Sequence, residues 1–119
     1  MKRDWDVIRD VLMAVEALDA KKFEEIHFNV ADDDENKTAE HGVLLWKSGF
    51  IEGIDASGMS GDYVLAHGLT WAGHDLLQTV QSKPVWERVK ATAKAKGIEL
   101  TFEAVKKLGS MALDAALAS

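Results

Sequence analysis

The segment GLTWAGHDLLQTV, residues 68 to 80, places Thr70, Trp71 and the pair His74-Asp75 within six positions. A histidine beside a carboxylate is the material of a general base and its orienting partner, so a catalytic reading comes first. Neighbouring residues on a helix point about 100° apart, however, so His74 and Asp75 cannot orient one another. A nucleophile would have to come from elsewhere, and the chain has no GxSxG elbow. His74 therefore reads as a structural residue that caps a core edge or bonds a backbone carbonyl.

The other chemistries are equally poorly served. The four histidines are His27, His41, His67 and His74, and no two are three or four positions apart. With no cysteine and no HExxH spacing, no metal site is expected, although His41 with His74 and an acid could in principle be assembled by the fold. The run Asp32-Asp33-Asp34-Glu35 lacks the twelve-position ligand pattern and central glycine of a calcium loop, and reads as a solvated helix-capping turn. Gly53, Gly58 and Gly61 have neither the spacing nor the lysine of a phosphate loop. No catalytic residue and no cofactor are expected, and the chain is read as non-enzymatic.

The elements that hold these residues are legible from periodicity. Trp5, Ile8, Leu12 and Val15, flanked by Val7, Val11 and Leu18, form the apolar face of a helix over residues 4 to 18. Ile26, Phe28 and Val30 alternate with His27 and Asn29, a strand over 23 to 30. Asp34 is the expected N-cap of a second helix that ends at Gly49, which suits a left-handed cap. Phe50, Ile51 and Ile54 open a strand, DASGMSGD is a loop, and Tyr63 to Leu69 return as the second arm of a hairpin. Thr70, between a strand and an apolar-periodic run, is an expected N-cap, with Trp71, Leu76, Leu77 and Val80 as the buried face. Ser82-Lys83-Pro84 starts a helix with Val85, Trp86, Val89 and Ala93 inward and Gly97 at its end. The last helix begins at Thr101, with Leu100 placed to staple onto Val105.

The chain has 119 residues, 47% of them hydrophobic and 29% charged, as in an ordinary folded domain. The apolar start is broken by Asp4, Asp6, Arg9, Asp10 and Glu16 at helical spacing, so it is an amphipathic helix and no secretory leader. No run reaches the ~18 apolar residues of a membrane span. Absence of cysteine fits the cytoplasm. The net charge of −6 is uneven: residues 31 to 62 carry eight acids against Lys37 and Lys47, whereas residues 83 to 107 carry seven bases against Glu87, Glu99 and Glu103. Helix, strand, helix and a two-stranded wing outline a winged-helix domain, with an abbreviated helix-turn-helix because residues 31 to 38 leave no room for a separate helix. Its presenting helix offers only Asn36, Lys37 and Lys47 beside Asp34, Glu35 and Glu40, and the wing adds Asp55 and Asp62, a surface that repels a duplex. Lys83, Arg88, Lys90, Lys94 and Lys96 lie on another helix and could track phosphates.

MKRDWDVIRDVL, HGVLLWKSGFIEGID, GLTWAGHDLL and KPVWERVK together resemble the family known as domain of unknown function 2513. The features that carry the resemblance are His41, Leu44, Leu45, Gly49, Ile51, Leu69, Thr70, Trp71, Gly73, His74, Val85 and Trp86, in order along nearly the whole chain. Phe50 stands where the family has Leu. The resemblance implies a protein of bacterial genomes and prophages and brings no activity with it.

The reading that follows is an α+β, winged-helix-like domain over residues 1 to 81, with a C-terminal helical extension, 82 to 119, packed on the same single domain. Its expected role is that of a small regulatory or adaptor protein acting through protein contacts or self-association. The four tryptophans are assigned mainly to the core. Met111, Leu113 and Leu117, on a helix apolar almost all round, are the candidate interface. The alternative is a winged-helix DNA-binding regulator with Lys37, Lys47, Arg88, Lys90 and Lys94 as contacts.

Overall fold

The computed structural model describes residues 3–18, 24–25, 35–56 and 64–118. Along the described chain run α1 (Trp5–Glu16), β1 (Glu24–Glu25), α2 (Glu35–Lys47), β2 (Ile51–Asp55), β3 (Val64–Leu69), α3 (Trp71–Gln81), α4 (Lys83–Lys96) and α5 (Phe102–Ala118). The protein is therefore α+β, with the element order that periodicity predicts. Of the strand expected over 23 to 30, Ile26, Phe28 and Val30 lie outside the described residues, as do Asp34 and most of the DASGMSGD loop.

Helix α1 starts because Asp4, in extended backbone, turns its carboxylate onto the free N–H groups of Asp6 and Val7. Its stripe of Val7, Ile8, Val11, Leu12 and Val15 is buried. Trp5, on the edge of that stripe, is only half-buried. Helix α2 stops at Gly49, whose φ of +83° is a left-handed conformation that costs a side-chain-bearing residue dearly. The Gly49 N–H bonds Trp46 O and the Phe50 N–H bonds Leu45 O, the paired closure of a Schellman cap.

The described strands form one antiparallel sheet in the order β1-β3-β2. Ile51 pairs with Leu69 and Asp55 with Val64, but the register slips between Glu52 and Gly53, leaving His67 as the extra residue of a bulge on β3. The inner face of the sheet buries Ile51, Val64, Ala66 and Leu69, and α1 and α2 pack on it. Ile54, on the other side of the pleat, is 53% exposed. The Trp46 indole N–H donates to Gly53 O at 3.2 Å, so this half-buried ring ties α2 to the edge strand.

Backbone contacts divide the chain into two compact units, Met1–Leu77 and Gln78–Ser119, with the boundary inside α3. In the second unit α4 packs on α5, burying Trp86, Val89 and Ala93 from one helix and Val105, Leu108 and Ala112 from the other. Ser82 precedes α4 in extended backbone and Pro84 sits in the first turn. Gly97, at φ +65°, closes α4 with a second Schellman pair, Gly97 N–H to Lys94 O and Ile98 N–H to Ala93 O. Thr101 caps α5 through its hydroxyl, which accepts the Ala104 N–H at 3.1 Å.

Candidate functional site

Residues 68 to 80 form the joint between β3 and α3. The Thr70 hydroxyl accepts the Gly73 N–H at 3.0 Å, capping α3 as expected, and donates to Gly49 O at 2.6 Å. The Thr70 N–H bonds Phe50 O at 3.1 Å. One threonine thus fastens the start of α3 to the end of α2. Two residues of this segment depart from expectation. Trp71, assigned to the buried face, is 86% exposed, because it lies about 180° in helical phase from Leu76, Leu77 and Val80. His74 lies beside the Trp71 ring, with centroids 5.9 Å apart, and 3.9 Å from the Glu16 carboxylate. It is a half-exposed surface residue and no core-edge cap.

A second constellation links residues far apart in sequence. His41 is fully buried, its Nδ1 lies 2.7 Å from Lys37 O, and its Nε2 accepts the Asp4 N–H at 2.9 Å. Since Nε2 accepts, the proton sits on Nδ1, which donates to the carbonyl. Both nitrogens are committed to backbone, so His41 has no lone pair left for a metal. Among the described residues, no three of His, Cys, Asp and Glu could hold a metal ion. The Lys37 ammonium meets Asp4 Oδ2 at 2.6 Å, and the other oxygen of that carboxylate caps α1. Asp4, Lys37 and His41 therefore lock the start of α1 onto α2. Sequence reasoning missed this lock, although the i, i+4 spacing of Lys37 and His41 and an Asp directly before an apolar stripe are signals for two of its halves.

The lock has a pH dependence whose sign follows from Asp4. The Lys37 ammonium bonded to it is the main reason its carboxyl is held below the ordinary carboxylate value. Partial burial opposes this, and the Val7 and Asp6 N–H groups add to it. A depressed folded-state pKa means stability that is fully present above the unfolded value and lost as pH falls through the folded one. Asp10 has the opposite sign, since burial raises its carboxyl. Comparison with Asp4→Asn isolates the first effect, because Asn caps as well as Asp but carries no charge. Urea midpoints should fall more steeply below about pH 4 in the wild type than in Asp4→Asn. Parallel curves would contradict the lock.

Of the expected nucleic-acid contacts, Lys37 is half-exposed and engaged by Asp4, and Lys47 is exposed at the end of α2. On α4, Lys90 and Lys94 share one flank with Lys83, while Arg88 lies about 160° around the helix from Lys90. Lys90 pairs with Glu87 at 3.1 Å and its ammonium is 5.8 Å from the Trp86 ring centre. The expected protein-contact residues also divide. Leu113 and Leu117, 50% and 77% exposed, fall on one flank of α5. Met111, 51% exposed, is about 160° from Leu113 and lines a groove of 380 Å³ with Lys96, Ile98, Thr101, Ala104 and Lys107.

A family model described as "Hypothetical protein (DUF2513)" matches residues 2–99. An uncharacterised protein of Haemophilus influenzae is 32% identical over 118 residues, which cover 99% of this chain and 100% of that protein. No solved structure matches. No helix among the described residues is long and apolar enough to cross a membrane.

Proposed function

We propose that this chain, which belongs to the DUF2513 family of hypothetical proteins, is a small non-enzymatic regulatory or adaptor protein of the cytoplasm that works through protein contacts. One observation carries the reading: the outer side of α5 keeps Leu113 and Leu117 exposed at the end of a helix whose last buried residue is Ala112. Large apolar side chains gathered on one helix flank lose free energy to water, and a partner surface removes that cost. The placement of two described histidines supports the non-enzymatic part of this reading: His41 is spent on backbone, and His74 lies at the surface beside Glu16.

The winged-helix DNA-binding regulator is the second reading. It is supported by the order helix, strand, helix, strand, strand, with β3 between β1 and β2, and by the shared flank of Lys83, Lys90 and Lys94. Against docking through α2 stand the Asp4 partner of Lys37 and the exposed acids Glu40, Glu52 and Asp55. Fluorescence anisotropy with a mixed pool of short duplexes separates the readings. Protein contact predicts no binding at physiological salt. A complex that persists there, and weakens when Lys90 and Lys94 are neutralised, would reverse their order.

A further inference from the structure

We propose that the partner of α5 is a second copy of α5, paired antiparallel about Ser110. The inference rests on the protein-contact reading and names its occupant. Val105, Leu108, Gly109 and Ala112 face inward. The opposite side carries Glu103, Lys106, Lys107, Ser110, Leu113, Asp114 and Leu117, all exposed. These positions follow a spacing of three and four residues, the pattern by which two helices meet along a seam, over about 21 Å.

The charges on this seam choose both the occupant and its direction. Lys106 and Lys107 precede Ser110, whereas Leu113, Asp114 and Leu117 follow it. A two-fold axis at Ser110 maps the seam onto itself with the halves exchanged. Lys107 of one copy then faces Asp114 of the other, twice by symmetry, because both lie on the same edge of the seam, and the carbon stem of Lys106 lies over Leu113. Leu117 meets the stem of Glu103, and the two serines cross where only small side chains permit close approach. Parallel pairing would set Lys106 of one copy against Lys107 of the other, which is repulsive. Antiparallel pairing also places each helix's positive end near the other's negative end.

Charge exchange tests this. Sedimentation equilibrium over a dilution series should show a concentration-dependent dimer of the full chain. Lys107→Asp alone and Asp114→Lys alone should each weaken self-association about tenfold, because two attractive pairs become repulsive. The double variant Lys107→Asp/Asp114→Lys restores opposite charges and should return to within about threefold of the wild type. All four seam charges are exposed, so each single variant should keep the fold, which its far-UV circular dichroism checks. A wild type that stays monomeric throughout, or a double variant no better than the singles, would overturn antiparallel self-pairing. A monomeric wild type whose α5 still captures another protein would sink this inference alone, leaving the protein-contact reading in place.

Discussion

Replacing Gly73 with alanine will destabilise the fold by about 3 kcal/mol, the upper part of the range for forced overpacking. Gly73 is in the first turn of α3, with ordinary helical backbone, so its need for glycine is steric and not conformational. A Cβ there would stand 2.0 Å from Phe50 O, 3.0 Å from the Phe50 carbonyl carbon and 3.2 Å from the Leu69 Cβ. Neither the carbonyl nor the strand end can swing aside as a side chain can. The same Phe50 O accepts the Thr70 N–H, and the Thr70 hydroxyl bonds Gly49 O. Displacing α3 would therefore strain both ties between the end of α2 and the start of α3. Gly109→Ala is the milder comparison: its Cβ would meet Thr79 Cγ2 at 2.5 Å and Oγ1 at 3.0 Å, side-chain atoms rather than the backbone that Gly73 meets. Chemical denaturation of both variants checks the ranking, and equal losses would contradict it.

His41→Ala is expected to cost about 3 kcal/mol, by leaving a cavity in a fully buried site and removing the acceptor of the Asp4 N–H. Lys37 O suffers less, because a helical carbonyl keeps its own i+4 partner. The loss should fall mainly on the start of α1, so hydrogen exchange at Asp6 and Val7 should accelerate along with the drop in global stability. His41→Gln places an amide near the lost ring and can again accept from Asp4, so it should recover part of the loss. If the Gln and Ala variants were equally unstable, the Asp4 bond would not account for the effect.

These two sites show where sequence reading stops. The buried faces of α1 and α4 follow from apolar spacing, and the caps at Gly49, Thr70, Gly97 and Thr101 follow from local chemistry. Those signals lie within a few residues of what they specify. The contact of Gly73 with Phe50 spans a strand pairing, and His41 meets Asp4 across 37 positions, so neither leaves a local pattern. Trp71 is a different kind of miss. Its residue type favours the core, but its phase relative to Leu76, Leu77 and Val80 puts it outside, and phase decides on a short helix. The same phase separates Met111 from Leu113 and Leu117, which the apolar composition of the segment had merged into one surface.

That surface is the centre of the functional account, and covalent capture from it is the most direct test. A photoreactive benzophenone side chain would replace Leu117 in bacterial cells that express the full chain, with a matched probe at the exposed Glu87 on α4 as control. The account predicts light-dependent protein adducts from position 117, not seen from position 87, with a mass that tells a second copy from another protein. Position 117 giving no adduct above the control would mean that the apolar end of α5 meets no protein in the cell, and would contradict the account at its centre.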